Sequence, residues 1–433
     1  MHFVGVGGAG MSGYARAASA LGASVSGSDG ARSAYTDRLQ ADGILTARIG
    51  HNAENLPDGD DVVLFYSTAV GEDNAERVAA RERGIPERPR ADLLAELSAL
   101  RRTIAVAGTH GKTTTSSMLV HALRGAGLDP GWLIGGSVGG GLPNSNWSGG
   151  DWLVVEADES DRSMLSLIAE IVVLTNVELE HHATYSSLAE LREAFAALLA
   201  GARQAVVWDR PELLSLRGGE VVAYDASNVT LTPGGSRFQW RGNDVTLAVP
   251  GVHNAVDAVG ALEAARLAGA PGAAAASSLS SFTGAGRRFQ RLGLSVRGAV
   301  VYEDYAHHPT EIAATLTGAR TLEHTRLAAV FQPHLFSRTA LLAREFGEAL
   351  ALADEIFVLD VYPARERASG FPGVSGLTIA QAAADAAAGR PVYWLPTFAQ
   401  AEPVLSGHLR AGDVCVVMGA GDVQDLARDL VAG

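Results

Sequence analysis

The stretch Thr103–Leu123 constrains the fold of this chain more than any other. Thr103–Ala107 is apolar enough for a strand buried on both faces. Gly108-Thr-His-Gly-Lys-Thr-Thr-Thr115 then turns, and helical spacing continues through Leu123. A buried strand that feeds a glycine loop and then a helix starts a crossover between parallel strands. At the start of such a helix the backbone N–H groups and the positive end of the dipole face outward, so the turn suits an anion. Lys112 adds a cation and Thr113 a hydroxyl able to ligate Mg²⁺, which together read as a phosphate loop for ATP. The expected contacts are Gly108, Thr109, His110, Gly111, Lys112, Thr113 and Thr114. The spacing G-x-x-G-K-T is shorter than the usual G-x-x-x-x-G-K-[ST].

Composition sharpens this reading at one point. Lys112 is the only lysine among 34 basic residues. A preference for arginine explains why the others are missing. It does not explain why the one survivor sits in a glycine loop, where a compact point charge suits phosphate better than a planar fork. The net charge of -14 argues against a nucleic-acid partner. Anionic ligands must then be met by helix N-termini and a few placed cations. The single cysteine, Cys415, excludes an intrachain disulfide and fits a reducing compartment. The start MHFVGVGGAG has no basic leader, and no apolar run reaches the roughly 18 residues of a membrane helix. A cytoplasmic protein with no membrane insertion is expected.

Apolar strands alternate with helical stretches along the whole chain, which predicts parallel sheets covered on both faces. Expected strands include His2–Val6, Ala23–Ser28, Asp61–Ser67, Trp152–Glu156, Ile171–Thr175, Leu327–Gln332, Val392–Trp394 and Val414–Met418. Residues 221–249 alternate more and carry Pro-Gly-Gly, so hairpins are expected there. The fold class is α/β in three consecutive domains: a Rossmann-like domain over 1–98, a central P-loop ATPase-type domain with a mainly parallel sheet over 99–284, and a Rossmann-like domain over 285–433.

Two further patterns carry chemistry. Strand Trp152–Glu156 ends in the acidic phrase Glu156-Ala-Asp-Glu-Ser-Asp161. A carboxylate at the carboxyl end of a strand lies where open α/β sheets bind ligands, so Glu156 is the first candidate for Mg²⁺. Near the N-terminus, Gly5-Val-Gly-Gly-Ala-Gly10 fits G-x-G-x-x-G, with Asp29 about 20 residues on. Taken alone, that pair predicts an NAD-dependent oxidoreductase. The same loop holds any diphosphate, including that of a UDP-sugar. A non-catalytic nucleotide-binding regulator is a third reading.

The phrases GTHGKTTT, EADES, TNVE-x-x-H, PGVHN, GRRF, DYAHHPTE and FQPH-x-x-SRT, in that order, resemble the Mur ligases, the ATP-dependent amino-acid ligases of bacterial cell-wall synthesis. GVGGAGMSG, Gly27-Ser-Asp29 and Ser67-Thr-Ala-Val70 fit the same family, so the resemblance runs from about residue 3 to Asp422. It implies domains for UDP-sugar, ATP and amino acid in turn, with ATP, UDP-N-acetylmuramate and L-alanine as substrates, Mg²⁺ as cofactor, and a monomer or weak homodimer. It implies Lys112, Glu156 and His181 as catalytic residues, and Thr113, Glu156 and His181 as the metal shell. Asn254, Arg288 and Asp304 join the ATP set. Gly7, Gly8, Ala9, Gly10, Ser28, Asp29, Ser67 and Thr68 fall to the UDP-sugar, and Tyr305, His307, His308, His334 and Arg338 to the amino acid. Two phrases depart from the family pattern. Glu180-His181-His182-Ala183 stands where TNIE-x-D-H is followed soon by Asp, and Leu335 stands where an arginine is expected.

Overall fold

The structure, a computed structural model, describes residues 1–180 and 184–432. Its contacts divide the chain into two units. The first comprises Met1–Ala226, Trp240–Asn243 and Val256–Leu279, and the second Ser227–Gln239, Asp244–Ala255 and Ser280–Gly433.

Two sheets make up the first unit. One has five parallel strands in the order Arg48–Ile49, Ser26–Asp29, His2–Val4, Leu64–Tyr66, Glu87–Pro89. The expected strand Ala23–Ser28 begins only at Ser26, because the Ala23 N–H donates to Ala18 O and closes helix Ala9–Ala20 instead of joining the sheet. The other sheet has seven strands in the order Val222–Tyr224, Gln204–Trp208, Ile171–Leu174, Arg102–Ala107, Trp152–Glu156, Gly131–Leu133, Ser145–Asn146, the last antiparallel to its neighbour. Its central strands are buried on both faces, which is why their sequences read as continuous apolar runs. The register sets Val106 beside Glu156 and Ala107 beside Leu174. Three loops therefore emerge together at the carboxyl edge of the sheet. Met11, Tyr14, Leu93, Leu94 and Leu97 pack with Leu133, Leu153 and Val155, giving the two sheets a common core. Each such leucine contributes roughly 1.5–3 kcal/mol through burial.

In the second unit a six-stranded sheet runs Gln290–Leu294, Val300–Asp304, Val414–Met418, Leu327–Phe331, Glu355–Val358, Val392–Trp394, with only the first strand antiparallel. Separate cores cover its faces, one around Ile312, Phe331, Phe346 and Ile379, the other around Val330, Phe357, Leu405 and Leu426. The hairpin region forms a sheet in the order Thr230–Thr232, Gly235–Trp240, Asn243–Leu247. No helix among the described residues is long and apolar enough to cross a membrane.

One buried carboxylate ties the five-stranded sheet together. Glu76, in the first turn of helix Ala75–Glu82, has no exposed surface. It accepts hydrogen bonds from His2 Nε2 at 2.7 Å, Ser28 Oγ at 2.7 Å and Asn55 Nδ2 at 3.0 Å. His51 Nδ1 lies 3.1 Å from it. Burial alone pushes Glu76 up, but the hydrogen bonds from His2, Asn55 and Ser28 outweigh it and hold the carboxyl at about 2, against an ordinary value of 4.5. A depressed carboxyl contributes its full stability above its unfolded pKa and loses it as the pH falls through the folded one. Glu76 thus stabilises the unit by on the order of 3 kcal/mol above about pH 4.5, and this disappears toward pH 2. We expect Glu76→Gln to lower stability at neutral pH by about that amount. In urea unfolding the gap to wild type should narrow steadily below about pH 4.5. A gap that stays constant down to about pH 3 would contradict this assignment.

Candidate active site

The glycine loop connects strand Arg102–Ala107 to helix Lys112–Gly125. Its shape follows from two close approaches. Gly108 has φ +136°, and a Cβ there would lie 2.0 Å from Thr175 Oγ1. Gly111 has φ +81°, and a Cβ there would lie 2.8 Å from the Asp257 carboxylate. Only glycine satisfies both demands. The loop is stitched to the next strand end by Thr109 N–H to Asn176 O (3.1 Å), His110 N–H to Asn176 Oδ1 (2.9 Å) and Thr175 Oγ1 to His110 O (2.6 Å). His110 Nε2 also lies 3.0 Å from Glu178.

The acidic phrase forms a turn against this loop. Glu156 Oε1 accepts from Thr113 Oγ1 at 3.1 Å and Glu156 Oε2 from Gly135 N–H at 2.8 Å. The two residues expected to hold a metal are thus adjacent. The third, His181, lies outside the described residues. Lys112 Nζ donates to Gly108 O at 2.7 Å and Thr109 O at 3.0 Å, and pairs with Glu159 at 2.9 Å. Burial works against its charge, but Glu159, Glu156 and Asp158 together raise its pKa. Asp158 and Asp161 turn the other way. They grip Arg90, on helix Arg90–Ala99 of the N-terminal part, at 2.9 and 2.6 Å. Burial pushes Asp158 up, but Arg90 and Lys112 bring it down to about 2.

At the N-terminal glycine loop, Asp29 accepts from Gly7 N–H at 2.8 Å and from Ala31 N–H at 3.1 Å. Its carboxylate shapes the loop itself. Ser28, expected beside the nucleotide, is fully buried and donates its hydroxyl to Glu76. The reason is strand alternation, which sends Ser28 and Asp29 to opposite faces. Gly8 caps helix Ala9–Ala20, so Gly8, Ala9 and Gly10 stand at its positive end. Ser67 and Thr68 follow strand Leu64–Tyr66, and Thr68 donates to Asp161 at 3.3 Å. A cavity of about 130 Å³ lies between this loop and the acidic turn, lined by Ala9, Gly10, Tyr14, Arg90, Glu156 and Asp158 among others.

Within the second unit, Tyr305, His307, His334 and Arg338 lie in a chain of contacts. His307 packs edge-on to Tyr305 at 5.2 Å and to His334 at 6.0 Å, and His334 stacks on Tyr362 at 5.8 Å. Arg338 Nη1 lies 3.2 Å from His334 Nδ1. His308 is buried and caps helix Pro309–Ala319, its Nδ1 accepting from Thr310 N–H at 3.4 Å. Arg288 lies over the Tyr305 ring at 5.1 Å. Asp304 is buried and accepts from Phe289 N–H, Ala306 N–H and Thr315 Oγ1, so its carboxylate braces the Arg288 loop rather than facing outward. Burial raises its pKa against the pull of Arg288. Asn254 donates to Pro250 O at 2.6 Å. Leu335 is buried, at φ +71° with ψ 133°, where a β-carbon is strained.

Arg90, Asp158, Glu159 and Asp161 join the same bonded cluster, yet no motif singles them out. The three acids share a phrase in which only Glu156 ends a strand. Arg90 sits in the arginine-rich run Glu87-Arg-Pro-Arg90, where nothing local separates it from its neighbours.

Three family descriptions match the chain: "Mur ligase family, catalytic domain" over residues 1–102, "Mur ligase middle domain" over 106–265 and "Mur ligase, glutamate ligase domain" over 287–421. A UDP-N-acetylmuramate–L-alanine ligase of Saccharopolyspora erythraea is 42% identical over 464 residues, spanning 100% of this chain and 92% of that protein. One of Streptomyces coelicolor is 42% identical over 447 residues, spanning 98% and 95%. Among solved structures, a UDP-N-acetylmuramate–alanine ligase from Thermotoga maritima is similar with a TM-score of 0.85 and 27% identity, covering 100% of this chain and 98% of that one.

The loop geometry makes one substitution diagnostic. Gly108→Ala would force its Cβ against Thr175 at 2.0 Å and strain the backbone at φ +136°. We expect a lower melting temperature and ADP binding weakened by at least about tenfold. Wild-type ADP affinity in this variant would show that the loop is not built as described.

Proposed function

The chain belongs to the Mur ligase family, and from that premise we propose that it joins L-alanine to the carboxylate of UDP-N-acetylmuramate, driven by ATP, in the cytoplasmic synthesis of peptidoglycan precursors. The observation that carries this reading is the convergence, inside one unit, of two anion-binding glycine loops on the acidic turn Glu156–Asp161. A sugar nucleotide held at Gly7–Gly10 would extend its carboxylate toward phosphates held at Gly108–Thr114. Full-length likeness to named ligases supports this over the oxidoreductase and regulator readings.

A carboxylate is a poor electrophile, and the chemistry follows from that. One carboxylate oxygen attacks the γ-phosphorus of ATP, the bond to the bridging oxygen breaks, and ADP leaves. The product is an acyl phosphate. The neutral amine of L-alanine then adds to the acyl carbon, and the tetrahedral adduct gives up one N–H proton and expels phosphate, which leaves as hydrogen phosphate, to form the amide. Lys112 places positive charge beside the transferring phosphoryl oxygens, and the N–H groups at the start of helix Lys112–Gly125 add to it. Gly108 and Gly111 let the backbone approach the phosphates closely. Tyr305, His307, His334 and Arg338 are assigned to the amino acid.

Magnesium fits the donors present. Thr113 and Glu156 offer hard oxygen ligands 3.1 Å apart. The acids Glu156, Asp158, Glu159 and Asp161 exceed the cations Lys112 and Arg90 by two charges, an imbalance a divalent ion would cancel. When bound, Mg²⁺ supplies Lewis acidity to the phosphoryl oxygens. His181 would complete the shell by the family resemblance.

Phosphate release should require ATP, UDP-N-acetylmuramate and L-alanine together, with glycine and L-serine tested as competing amines. Release from ATP alone, or none with all three present, would sink the ligase reading. Lys112→Arg should cut turnover by about 10³-fold or more. It should leave the melting temperature within a few degrees, because a cation still faces Glu159. Glu156→Ala should raise the magnesium concentration needed for half-maximal rate. An unchanged requirement would remove Glu156 from the shell.

A further inference from the structure

Lys112 is the one lysine of the chain, and its ammonium carries three donors. All three are engaged by protein oxygens: Gly108 O at 2.7 Å, Thr109 O at 3.0 Å, and the Glu159 carboxylate at 3.0 and 2.9 Å from its two oxygens. An ammonium saturated in this way has no donor left for a phosphate oxygen. For a nucleotide to bind through Lys112, one of these acceptors must yield.

The two carbonyls are poor candidates to move. They belong to the glycine loop, whose Thr109 and His110 N–H groups are fastened to Asn176. Glu159 is the only side-chain acceptor of the three. Its side chain is 1% exposed, and its backbone carbonyl accepts the hydroxyl of the fully buried Tyr185 at 2.9 Å. The turn backbone is therefore anchored, so an exchange of acceptors at Lys112 falls to the Glu159 carboxylate. A carboxylate on an ammonium is also the nearest protein equivalent of a phosphate oxygen: anionic, acceptor-only and two-pronged.

We propose that Glu159 is a positioning residue that stands in for a nucleotide phosphate on Lys112. It keeps the lysine charged and folded over the glycine loop, and the exchange of its carboxylate for a phosphate oxygen sets how tightly the loop holds nucleotide. The inference rests on the ATP-binding reading of the loop. It gives Glu159 a sign opposite to that of a residue that merely supports the fold, since removing its charge strengthens nucleotide binding. Glu170 provides a control, since its carboxylate pairs with Arg102 at 2.7 Å, at the end of strand Arg102–Ala107 opposite the glycine loop.

The test is calorimetric titration of the full-length protein with ADP in excess Mg²⁺, needing no turnover. Glu159→Gln should bind ADP about tenfold more tightly than wild type, and Glu170→Gln should stay within about threefold of it. Glu159→Asp retracts the carboxylate from Nζ by one methylene and should shift affinity in the same direction by less, which keeps the test available if the Gln variant fails to fold. Wild type binding ADP while Glu159→Gln binds it equally or more weakly overturns the inference. So does an equal gain in Glu170→Gln, which would reduce the effect to a loss of net negative charge. If wild type binds no ADP at all, the functional reading fails first and the inference falls with it.

Discussion

The four carboxylates of the turn Glu156–Asp161 are divided among three sets of partners, and the first unit depends on that division. Glu156 faces Thr113 and Gly135, Glu159 faces Lys112, and Asp158 with Asp161 faces Arg90 of the N-terminal part. The turn follows directly from strand Trp152–Glu156, which pairs with the strand that launches the glycine loop. Its position is therefore fixed by the sheet, while its side chains fan out from irregular backbone. A pair as buried as Lys112–Glu159 is costly to assemble and strongly destabilising to break singly. The arrangement is better understood as a device for holding two cations in place than as a source of stability.

This also resolves how a chain of net charge -14 would handle anionic substrates. The positive potential is local. It comes from the starts of helices Ala9–Ala20 and Lys112–Gly125, from Lys112 and from Arg90. Surrounding carboxylates hold the two side-chain cations rigid, and a bound divalent ion would offset the excess negative charge. Arginine suits the bidentate grip at Asp158 and Asp161, and lysine suits the three-way point contact at the glycine loop.

Much of the fold was legible because buried parallel strands announce themselves. Val392–Trp394 and Val414–Met418 have the limits that their apolar runs predict, as does Trp152–Glu156. The short edge strands were not legible. Arg48–Ile49, Glu87–Pro89 and Ser145–Asn146 carry no apolar pattern and are strands only because a neighbour offers its free edge. Ala23 was read as strand because its helix-closing hydrogen bond cannot be seen in composition. At the site, Lys112, Thr113 and Glu156 stood out through motif and spacing. Glu76, Glu159 and Arg90 did not, since their roles arise from partners 74, 47 and 68 to 71 residues away. Ser28 and His308 stand in phrases that resemble the family, and the partners of both became visible only in the fold: the Ser28 hydroxyl donates to Glu76, and His308 Nδ1 accepts from Thr310 N–H.

The central claim is that the substrate carboxylate is activated by direct attack on ATP at the Lys112 loop. The most direct test uses UDP-N-acetylmuramate labelled with ¹⁸O in its carboxylate, turned over with ATP and L-alanine. Mass analysis then follows the label into inorganic phosphate. An acyl phosphate transfers one carboxylate oxygen to each phosphate released, so the account predicts one labelled oxygen per phosphate at full enrichment. Unlabelled phosphate, formed at the same rate as the amide product, would contradict it.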